Sequence, residues 1–304
     1  MSSTEQVNND DVEEVCANCG KSAVDDVKLK ICTACKLVKY CSVDCQKNHR
    51  KQHKKACKKR AAEIRDVQLF TQPDESYLGE CPICCLPHSL DNTKRLVNPC
   101  CSKRICNGCS HANKRREREQ GLENRCAYCR EPLPKSMEEA KKIAMKRVEA
   151  NDPVALLQMG MECDGEGDFE GAFENYTKAA QLGDIEAHYN LSVMYQVGEG
   201  VEKDRKKETY HLEEAAIGGH PKARTNLGSY EWNSGRYERA AKHWIIAAKL
   251  GDDKALGNLK RDFQIGLVNK EDYETALRGC QAAVDATKSE QRDTAEECDK
   301  KNNV

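Results

Sequence analysis

The residues of this chain that could do chemistry are its cysteines, which are grouped in the first half at short spacings. Of the 19 cysteines, all except Cys163, Cys280 and Cys298 lie between residues 16 and 129. Two thiolates separated by two residues can bind one ion from the same tight turn, and such pairs are typical of tetrahedral zinc sites. The spacing therefore predicts zinc binding.

Disulfides are the alternative chemistry for so many cysteines. The amino-terminal segment, MSSTEQVNNDDVEE, is polar and acidic and lacks the apolar stretch of a secretory signal. Thiols in the cytoplasm or nucleus stay reduced and available to metal, so we expect a cytoplasmic or nuclear protein whose cysteines bind zinc. No run of about 18 apolar residues occurs, so neither a transmembrane helix nor a membrane partner is expected.

The first cysteine cluster covers residues 16–57. Its candidate metal ligands, in chain order, are Cys16, Cys19, Cys32, Cys35, Cys41, Cys45, His53 and Cys57. These eight ligands satisfy two zinc ions with four each, which leaves no position open for a catalytic water. A segment this short cannot bury enough surface to fold alone. Zinc must supply the difference, on the order of 10 kcal/mol per structural site.

The segments YCSVDCQ at 40–46 and HKKAC at 53–57, together with two CxxC pairs upstream, resemble the MYND zinc finger family. The resemblance implies interleaved pairing. One ion would be held by Cys16, Cys19, Cys41 and Cys45, and the other by Cys32, Cys35, His53 and Cys57. Arg50 stands where the family usually has a tryptophan, which bears on a peptide groove and not on the metal sites. His49 is an alternative ligand, but His53 has the expected spacing, so His49 is predicted to be a surface histidine.

Residues 47–60 contain eight lysines and arginines. A basic run of this kind suits either a solvated helix face or contact with nucleic acid. Because no aromatic residues are interleaved with the charges for stacking on bases, the solvated face is the favoured interpretation. Regulation through nucleic acid is the weaker alternative.

A second cysteine cluster covers residues 81–129 and contains the segments CPICC, CCSKRICNGC and CAYCREPLP. These segments resemble the RING finger family. The residues that match the ligand positions of that family are Cys81, Cys84, Cys101, Cys106, Cys109, Cys126 and Cys129. The resemblance implies one complete site, formed by Cys81, Cys84, Cys106 and Cys109, and most of a second. We therefore expect two zinc ions in the first cluster and one or two in the second.

Lys103 occupies the position at which the RING family usually has a histidine or cysteine ligand. A protonated lysine is a poor zinc ligand at neutral pH. The missing ligand could be Cys100, His111 or Cys85. Cys100 is the nearest in sequence, although two adjacent cysteines form a strained chelate, and the choice stays open at this point.

In the RING family the surface between the two metal loops binds a ubiquitin-conjugating enzyme. Ile83 matches the apolar contact of that surface, and Arg130 matches the arginine that hydrogen-bonds both the enzyme and ubiquitin. Residues 111–120 are highly charged and lack the aromatic contact often found there. The resemblance thus implies either a ubiquitin ligase or a RING-shaped interaction module without that activity.

From about residue 153 the chain repeats. AAQLGD at 179–184, AAIGGH at 215–220 and AAKLGD at 247–252 recur at a period typical of helix-pair solenoids. The segment LSVMYQVGEGVEKD at 191–204 resembles the loop of Sel-1-like repeats, a relative of the tetratricopeptide class. A degenerate fourth unit at 255–285 is predicted to cap the array.

Within each repeat, the second helix places small residues and one aromatic residue at helical spacing. Tyr176, Tyr210 and Trp244 are predicted to lie in the core between helices. Gly183, Gly219 and Gly251 are predicted to end their helices in the left-handed conformation that glycine favours.

The predicted architecture is two small zinc-stabilised modules in front of an all-α solenoid. Charged residues make up 33 % and aromatic residues 5 % of the chain, which suits a modular helical protein better than one large enzyme core. The predicted segments are a disordered tail 1–15, a MYND-type finger 16–57, a linker 58–80, a RING-like finger 81–130, a connecting helix 131–152, repeats 153–286 and a disordered tail 287–304.

The sequence contains no phosphate-binding loop, nucleophile elbow or HExxH motif, so no intrinsic active site is expected. We expect a zinc-binding protein-interaction adaptor. Its repeats would bind a client protein, and its RING-like finger would recruit a ubiquitin-conjugating enzyme. A non-enzymatic MYND and repeat scaffold is the alternative.

Overall fold

The computed structural model describes residues 14–23, 28–74 and 76–302. The chain divides into two compact units, Met1–Thr71 and Gln72–Val304. Most of the tail predicted to be disordered, residues 1–13, lies outside the described residues. Within the described part, no helix combines the length and the apolar composition that crossing a bilayer requires.

The first unit is a two-stranded sheet followed by one long helix. Strand β1 (Lys30–Ile31) pairs antiparallel with β2 (Lys39–Tyr40). Helix α1 (Val43–Phe70) begins at Ser42, whose hydroxyl accepts a hydrogen bond from the backbone N–H of Cys45 at 3.2 Å. The helix continues through the first half of the predicted linker, because neither glycine nor proline interrupts it before Pro73.

The second unit begins with a small cysteine-rich fold. A short 3-10 helix (Asn92–Lys94) leads into strand β3 (Arg95–Val97), which pairs antiparallel with β4 (Arg104–Cys106). Helix α2 (Asn107–Glu119) follows at once. Buried Ile105 is surrounded by cysteines, so this fold has almost no conventional apolar core.

A helical array forms the rest of the second unit. Helix α3 (Met137–Glu149) packs against the first of its helix pairs. The pairs are α4 (Pro153–Glu166) with α5 (Phe169–Gln181), α6 (Ile185–Val197) with α7 (Arg205–Ile217), and α8 (Pro221–Asn233) with α9 (Tyr237–Lys249). Helices α10 (Asp253–Gln264) and α11 (Lys270–Ala286) pack on α9.

The ends of these helices follow the local sequence. Gly183, Gly219 and Gly251 have φ values of 90°, 88° and 92°, which confirms the predicted left-handed helix ends. Ser136 caps the N-terminus of helix α3, because its hydroxyl accepts a hydrogen bond from the N–H of Glu139 at 3.1 Å.

Two of the three predicted core aromatics are buried, and the third is not. Tyr176 is 3 % exposed and Trp244 is 1 % exposed, whereas Tyr210 is 53 % exposed. The prediction for Tyr210 was wrong because the buried face of α7 carries Leu212, at 2 % exposure, in the position that Tyr176 occupies in α5. Tyr210 lies two residues earlier, on the opposite side of the helix.

Glu208 is buried at a position where the neighbouring repeats have alanine. Its carboxylate accepts hydrogen bonds from the hydroxyl of Tyr230 and from Arg205 Nη1, the latter at 3.1 Å. The Arg205 guanidinium also lies over the Tyr230 ring, 3.7 Å from its centroid. A buried carboxylate is tolerated when it is paired and hydrogen-bonded, so these contacts account for the departure from alanine.

The last segment is helical, although disorder was predicted for residues 287–304. Helix α12 (Glu290–Asn302) packs against α2 of the cysteine-rich fold. Arg292 is buried there and donates to the carbonyl oxygen of Pro87, 205 positions earlier, at 2.7 Å. The disorder prediction failed because the helix is held by such long-range contacts and not by its own apolar pattern.

Candidate metal centres

The predicted ligands meet in four groups, each with four ligand atoms within 4.8 Å of one another. Two groups lie in the first unit and two in the second. The groups are Cys16, Cys19, Cys41 and Cys45; Cys32, Cys35, His53 and Cys57; Cys81, Cys84, Cys106 and Cys109; and Cys100, Cys101, Cys126 and Cys129. The first two groups have the interleaved arrangement that the MYND resemblance implies.

The spacing of the sulfur atoms suits a tetrahedral zinc ion. Zn–S bonds of about 2.3 Å give sulfur–sulfur edges of about 3.8 Å. The Sγ–Sγ distance is 3.8 Å from Cys32 to Cys57, 3.8 Å from Cys84 to Cys106 and 3.9 Å from Cys101 to Cys126. Sulfurs in a disulfide would lie at about 2.05 Å. The residues therefore fit zinc.

Helix α1 contributes Cys45 to the first group and two ligands to the second group. His53 and Cys57 are four residues apart, so their side chains point the same way. The Nε2 atom of His53 lies 3.2 Å from Cys35 Sγ, which identifies the ring nitrogen that faces the group. His49, one turn earlier, stacks on His53 and places its Nδ1 atom 3.1 Å from the hydroxyl of Tyr40. His49 thus lies outside both groups.

Backbone N–H groups surround the first cysteine of each CxxC pair in the first unit. Burial raises the pKa of the Cys16 thiol, but N–H donors from Cys41, Asn18 and Cys19 outweigh it and lower the pKa to about 6. The pKa of Cys32 is also lowered to about 6, since donors that include the N–H of Cys35 and the ring of His53 outweigh burial. These donors favour the thiolate, which is the form that binds metal.

The first group of the second unit is built at the start of α2. Cys106 precedes the helix and its Sγ accepts from the N–H of Cys109 at 3.4 Å. A hydrogen bond from Cys106, assisted by backbone N–H groups that include those of Cys84 and Ile83, lowers the pKa of Cys81 to about 3 despite burial. The turn between Cys81 and Cys84 thus provides both ligands and thiolate donors.

Cys100 is the ligand that the sequence left open. Its Sγ atom lies 3.4 Å from Cys129 Sγ. A tight turn positions the adjacent pair, because the N–H groups of Cys101 and Ser102 both donate to Asn98 O, at 3.3 and 2.8 Å. Ser102 follows the pair with a φ of 54°, and Cys85 has the same φ of 54° after Cys84.

The other candidates for this position lie outside the group. Cys85 is exposed and His111 is on α2, and neither belongs to the four ligands. The ammonium of Lys103 lies 6.0 Å from the centroid of the Tyr128 ring. Lys103 therefore contacts an aromatic face instead of a metal.

The zinc content of two variants tests whether Cys100 or Cys85 is the fourth ligand. We expect Cys100→Ala to lower the zinc content of the purified chain by one ion, because three ligands without a fourth bind zinc weakly. Cys85→Ala is the matched control, because Cys85 is an exposed cysteine of the same cysteine-rich fold outside the four groups, and this variant should retain the full zinc content. The measurement is zinc per chain by elemental mass spectrometry, and equal loss in the two variants would contradict the assignment.

Ile83 and Arg130 line one shallow groove on the cysteine-rich fold, together with Asn113, Arg116 and Ala127. Ile83 is 42 % exposed. The guanidinium of Arg130 donates to Asn113 Oδ1 at 2.7 Å and to Glu117 Oε1 at 3.0 Å. The groove also includes Gln291 of α12, a residue that sequence reasoning missed because nothing local distinguishes it.

The cysteine-rich fold is held against the helical array by a polar cluster. The Tyr77 hydroxyl donates to Glu186 Oε2 at 2.6 Å, and Arg104 pairs with Asp184 at 3.7 Å. Glu186 also lies 3.6 Å from His220 Nε2. Burial raises the pKa of Glu186, but the contacts with His220 and Tyr77 outweigh it and lower the pKa to about 2. These contacts join the cysteine-rich fold to the helical array within the second unit.

Comparison with known families gives two matches. The family model of the MYND finger matches residues 16–57. The family model of the Sel1 repeat matches residues 153–184, 185–220 and 221–252.

Three of the proteins to which this chain is similar come from bacteria. An uncharacterized protein of Neisseria meningitidis, NMB1327, is 30 % identical over 149 residues, which cover 48 % of this chain and 32 % of the relative. This chain thus spans about a third of that protein. A Sel1 repeat protein from Oxalobacter formigenes is 26 % identical, with a TM-score of 0.43 over 59 % of this chain and 72 % of the other. The Escherichia coli protective antigen c5321, which displays an SLR fold, is 22 % identical, with a TM-score of 0.39 over 54 % and 37 %.

The two family matches agree with the structure of the residues that they cover. Residues 16–57 bring together MYND ligands in two groups, and residues 153–252 form three helix pairs. The cysteine groups between them are compatible with a RING-like finger. The chain therefore carries a zinc-binding MYND finger at residues 16–57 and three Sel1 repeats at residues 153–252.

Proposed function

We propose that this protein is a zinc-dependent adaptor that joins a client protein to a ubiquitin-conjugating enzyme. The Sel1 array would bind the client, as helix-pair solenoids commonly bind proteins. The RING-like finger, residues 81–130, would recruit the enzyme. The MYND finger would serve as a second protein-docking platform. The transfer of ubiquitin would then be catalysed by the recruited enzyme.

The observation that carries the proposal is the groove beside the two metal groups of the RING-like finger. Ile83 presents an exposed apolar side chain there, next to Ala127. Small shallow grooves with one apolar anchor and a polar rim suit protein partners better than small molecules. The groove is therefore a fitting place for a partner protein to dock.

Arg130 supports the same interpretation. Its side chain is 44 % exposed, while Glu117, which it contacts, is fully buried. A guanidinium has five N–H donors. The contacts with Asn113 and Glu117 hold the Arg130 fork in place, and the remaining donors are free to bind a partner. An arginine held in advance loses less side-chain entropy on binding.

The metal groups support a structural role for zinc in this adaptor. Each group has four protein ligands, so a bound zinc ion would have no open position for a catalytic water. We infer four zinc ions per chain, two in each finger region. Zinc would set the shape of the docking surfaces and take no part in bond making.

An in vitro ubiquitination assay with a panel of ubiquitin-conjugating enzymes tests this proposal. We expect ubiquitinated product with at least one enzyme, and at least about a tenfold lower rate for Ile83→Ala, since a hot-spot side chain that the partner covers contributes about 2 kcal/mol or more. Leu122→Ala is the matched control, because Leu122 is an exposed apolar residue of the same finger that does not line the groove.

The outcomes separate ligase from scaffold. A rate that falls for Ile83→Ala and not for Leu122→Ala supports recruitment through the groove. No product with any enzyme, from chain shown to retain its zinc, would overturn the ligase proposal and leave a non-enzymatic scaffold. Product that is unaffected by Ile83→Ala would place the enzyme elsewhere and would also contradict the proposal.

A further inference from the structure

The side chain of Arg292, in the first turn of α12, is buried inside the RING-like finger. The residue is 8 % exposed. Its guanidinium donates to Pro87 O at 2.7 Å, Leu86 O at 3.1 Å and Cys84 Sγ at 3.4 Å. It also donates to Thr287 O, just before its own helix, at 2.8 Å. One side chain thus joins the C-terminal helix to the loop that carries a metal ligand.

The backbone of α12 approaches α2 closely at the same place. A Cβ atom added to Gly108 would lie 2.9 Å from Cγ and 3.0 Å from Cα of Arg292. The side chain of Gln291 donates to Gly108 O at 3.1 Å. Gly108 lies between Cys106 and Cys109, two ligands of the same metal group. The helix therefore rests directly on the segment that presents these thiolates.

The contact with Cys84 has a clear electrostatic consequence. Four thiolates around one Zn²⁺ ion leave a net negative charge on the site, and a guanidinium donor offsets part of it. The hydrogen bonds to Leu86 and Pro87 fix the loop that follows Cys84. Residues that orient metal ligands in this way typically change metal affinity about 10–100-fold when they are removed.

We propose that Arg292 is a positioning residue of the zinc site formed by Cys81, Cys84, Cys106 and Cys109. The C-terminal helix is then part of the RING-like finger, and the retention of zinc at this site depends on it. By linkage, zinc at the site also holds α12 in place. The inference does not depend on the proposed recruitment of a ubiquitin-conjugating enzyme.

Zinc release from the full-length chain tests the inference. A chromogenic zinc chelator is added in excess and the release of each ion is followed over time. For Arg292→Ala we expect one zinc ion to be lost at least about tenfold faster than from the unmodified chain. Arg292→Lys keeps the charge without the forked donors, so it should fold and release that ion at an intermediate rate.

Glu296→Ala is the matched control on the same helix. Glu296 pairs with Lys94 of the finger at 2.7 Å, on the surface and away from any thiolate. Its removal weakens the packing of α12 but leaves the guanidinium contact intact. We expect zinc release from this variant within about twofold of the unmodified chain, since exposed ion pairs contribute little.

Alkylation reports directly on the Cys84 thiol, and the Glu296→Ala control separates loss of the guanidinium contact from general loosening of the helix. Iodoacetamide labelling, mapped by mass spectrometry, should show faster modification of Cys84 in Arg292→Ala, with Cys19 of the first unit as the internal reference. Unchanged zinc release and unchanged Cys84 labelling in both Arg292 variants would overturn the inference. Equal acceleration in Arg292→Ala and Glu296→Ala would also overturn it, because general loosening of the helix would then be the cause.

Discussion

Removal of zinc is expected to unfold both finger regions while the Sel1 array stays folded. The core of the first unit consists of Cys16, Cys32, Cys35 and Tyr40. Without metal these thiols cannot replace an apolar core, and structural zinc contributes on the order of 10 kcal/mol per site. The core of the array is made of alanine, leucine and aromatic side chains, so chelation leaves it intact.

Hydrogen–deuterium exchange with and without a strong chelator measures this effect region by region. Backbone amides of residues 28–57 and 81–130 should lose their protection, and those of residues 153–286 should keep it. Adding back zinc should restore protection, while adding magnesium should not, because thiolate sites select soft ions. Protection that survives chelation in either finger would show that the metal is not its main source of stability.

Gly228→Ala is expected to destabilise the array, because an added methyl group would overlap a buried tryptophan. A Cβ atom at this position would lie 2.4 Å from Nε1 of Trp244. Trp244 cannot move aside easily, because it is fully buried and its Nε1 donates to Thr225 O at 3.1 Å. Overpacking of this kind costs about 1–3 kcal/mol and sometimes more, which would lower the melting temperature of the array.

Gly257→Ala is the matched control and should shift stability in the opposite direction. Gly257 lies within α10, where an added Cβ would meet no atom within 4 Å. Alanine is favoured over glycine by about 0.5–1 kcal/mol inside a helix, so this variant should melt slightly higher. The measurement is the melting temperature of each variant, compared with that of the unmodified chain. Equal shifts of the same sign would contradict the close packing of α8 against Trp244.

Short-range sequence patterns explain why so much of the metal centres was predictable. CxxC pairs encode a tight turn and the positions of two thiolates together, without reference to the rest of the chain. The ligands Cys32 and Cys35, and the helical pair His53 and Cys57, therefore meet in one group as the MYND resemblance implies. The choice of Cys100 was not predictable, because it depends on the turn through Asn98 and Ser102.

The helical array was also predictable from short-range patterns, and the prediction was wrong at one position, Tyr210. Recurring small residues and glycines mark each helix pair, and the left-handed glycines occur where expected. Tyr210 was misplaced because an aromatic residue was assumed to take the core position in every repeat. In the second repeat Leu212 takes that position, and Glu208 with its partner Tyr230 completes the buried face.

The C-terminal helix shows the limit of sequence reasoning most clearly. Residues 290–302 are polar, with charges of both signs and no apolar period. Their order depends on Arg292 and Gln291, which contact the RING-like finger some 200 positions earlier in the chain. No local pattern encodes contacts at that separation, so a buried arginine was indistinguishable from a solvated one.

Native mass spectrometry of the full-length chain tests the central claim most directly. The claim is that zinc builds both docking modules of this adaptor, with one ion in each of the four ligand groups. The expected mass exceeds that of the chain by four zinc ions, and by three for the Cys100→Ala variant. An unmodified chain that carries fewer than four zinc ions, or the same number of ions in both forms, would contradict this claim.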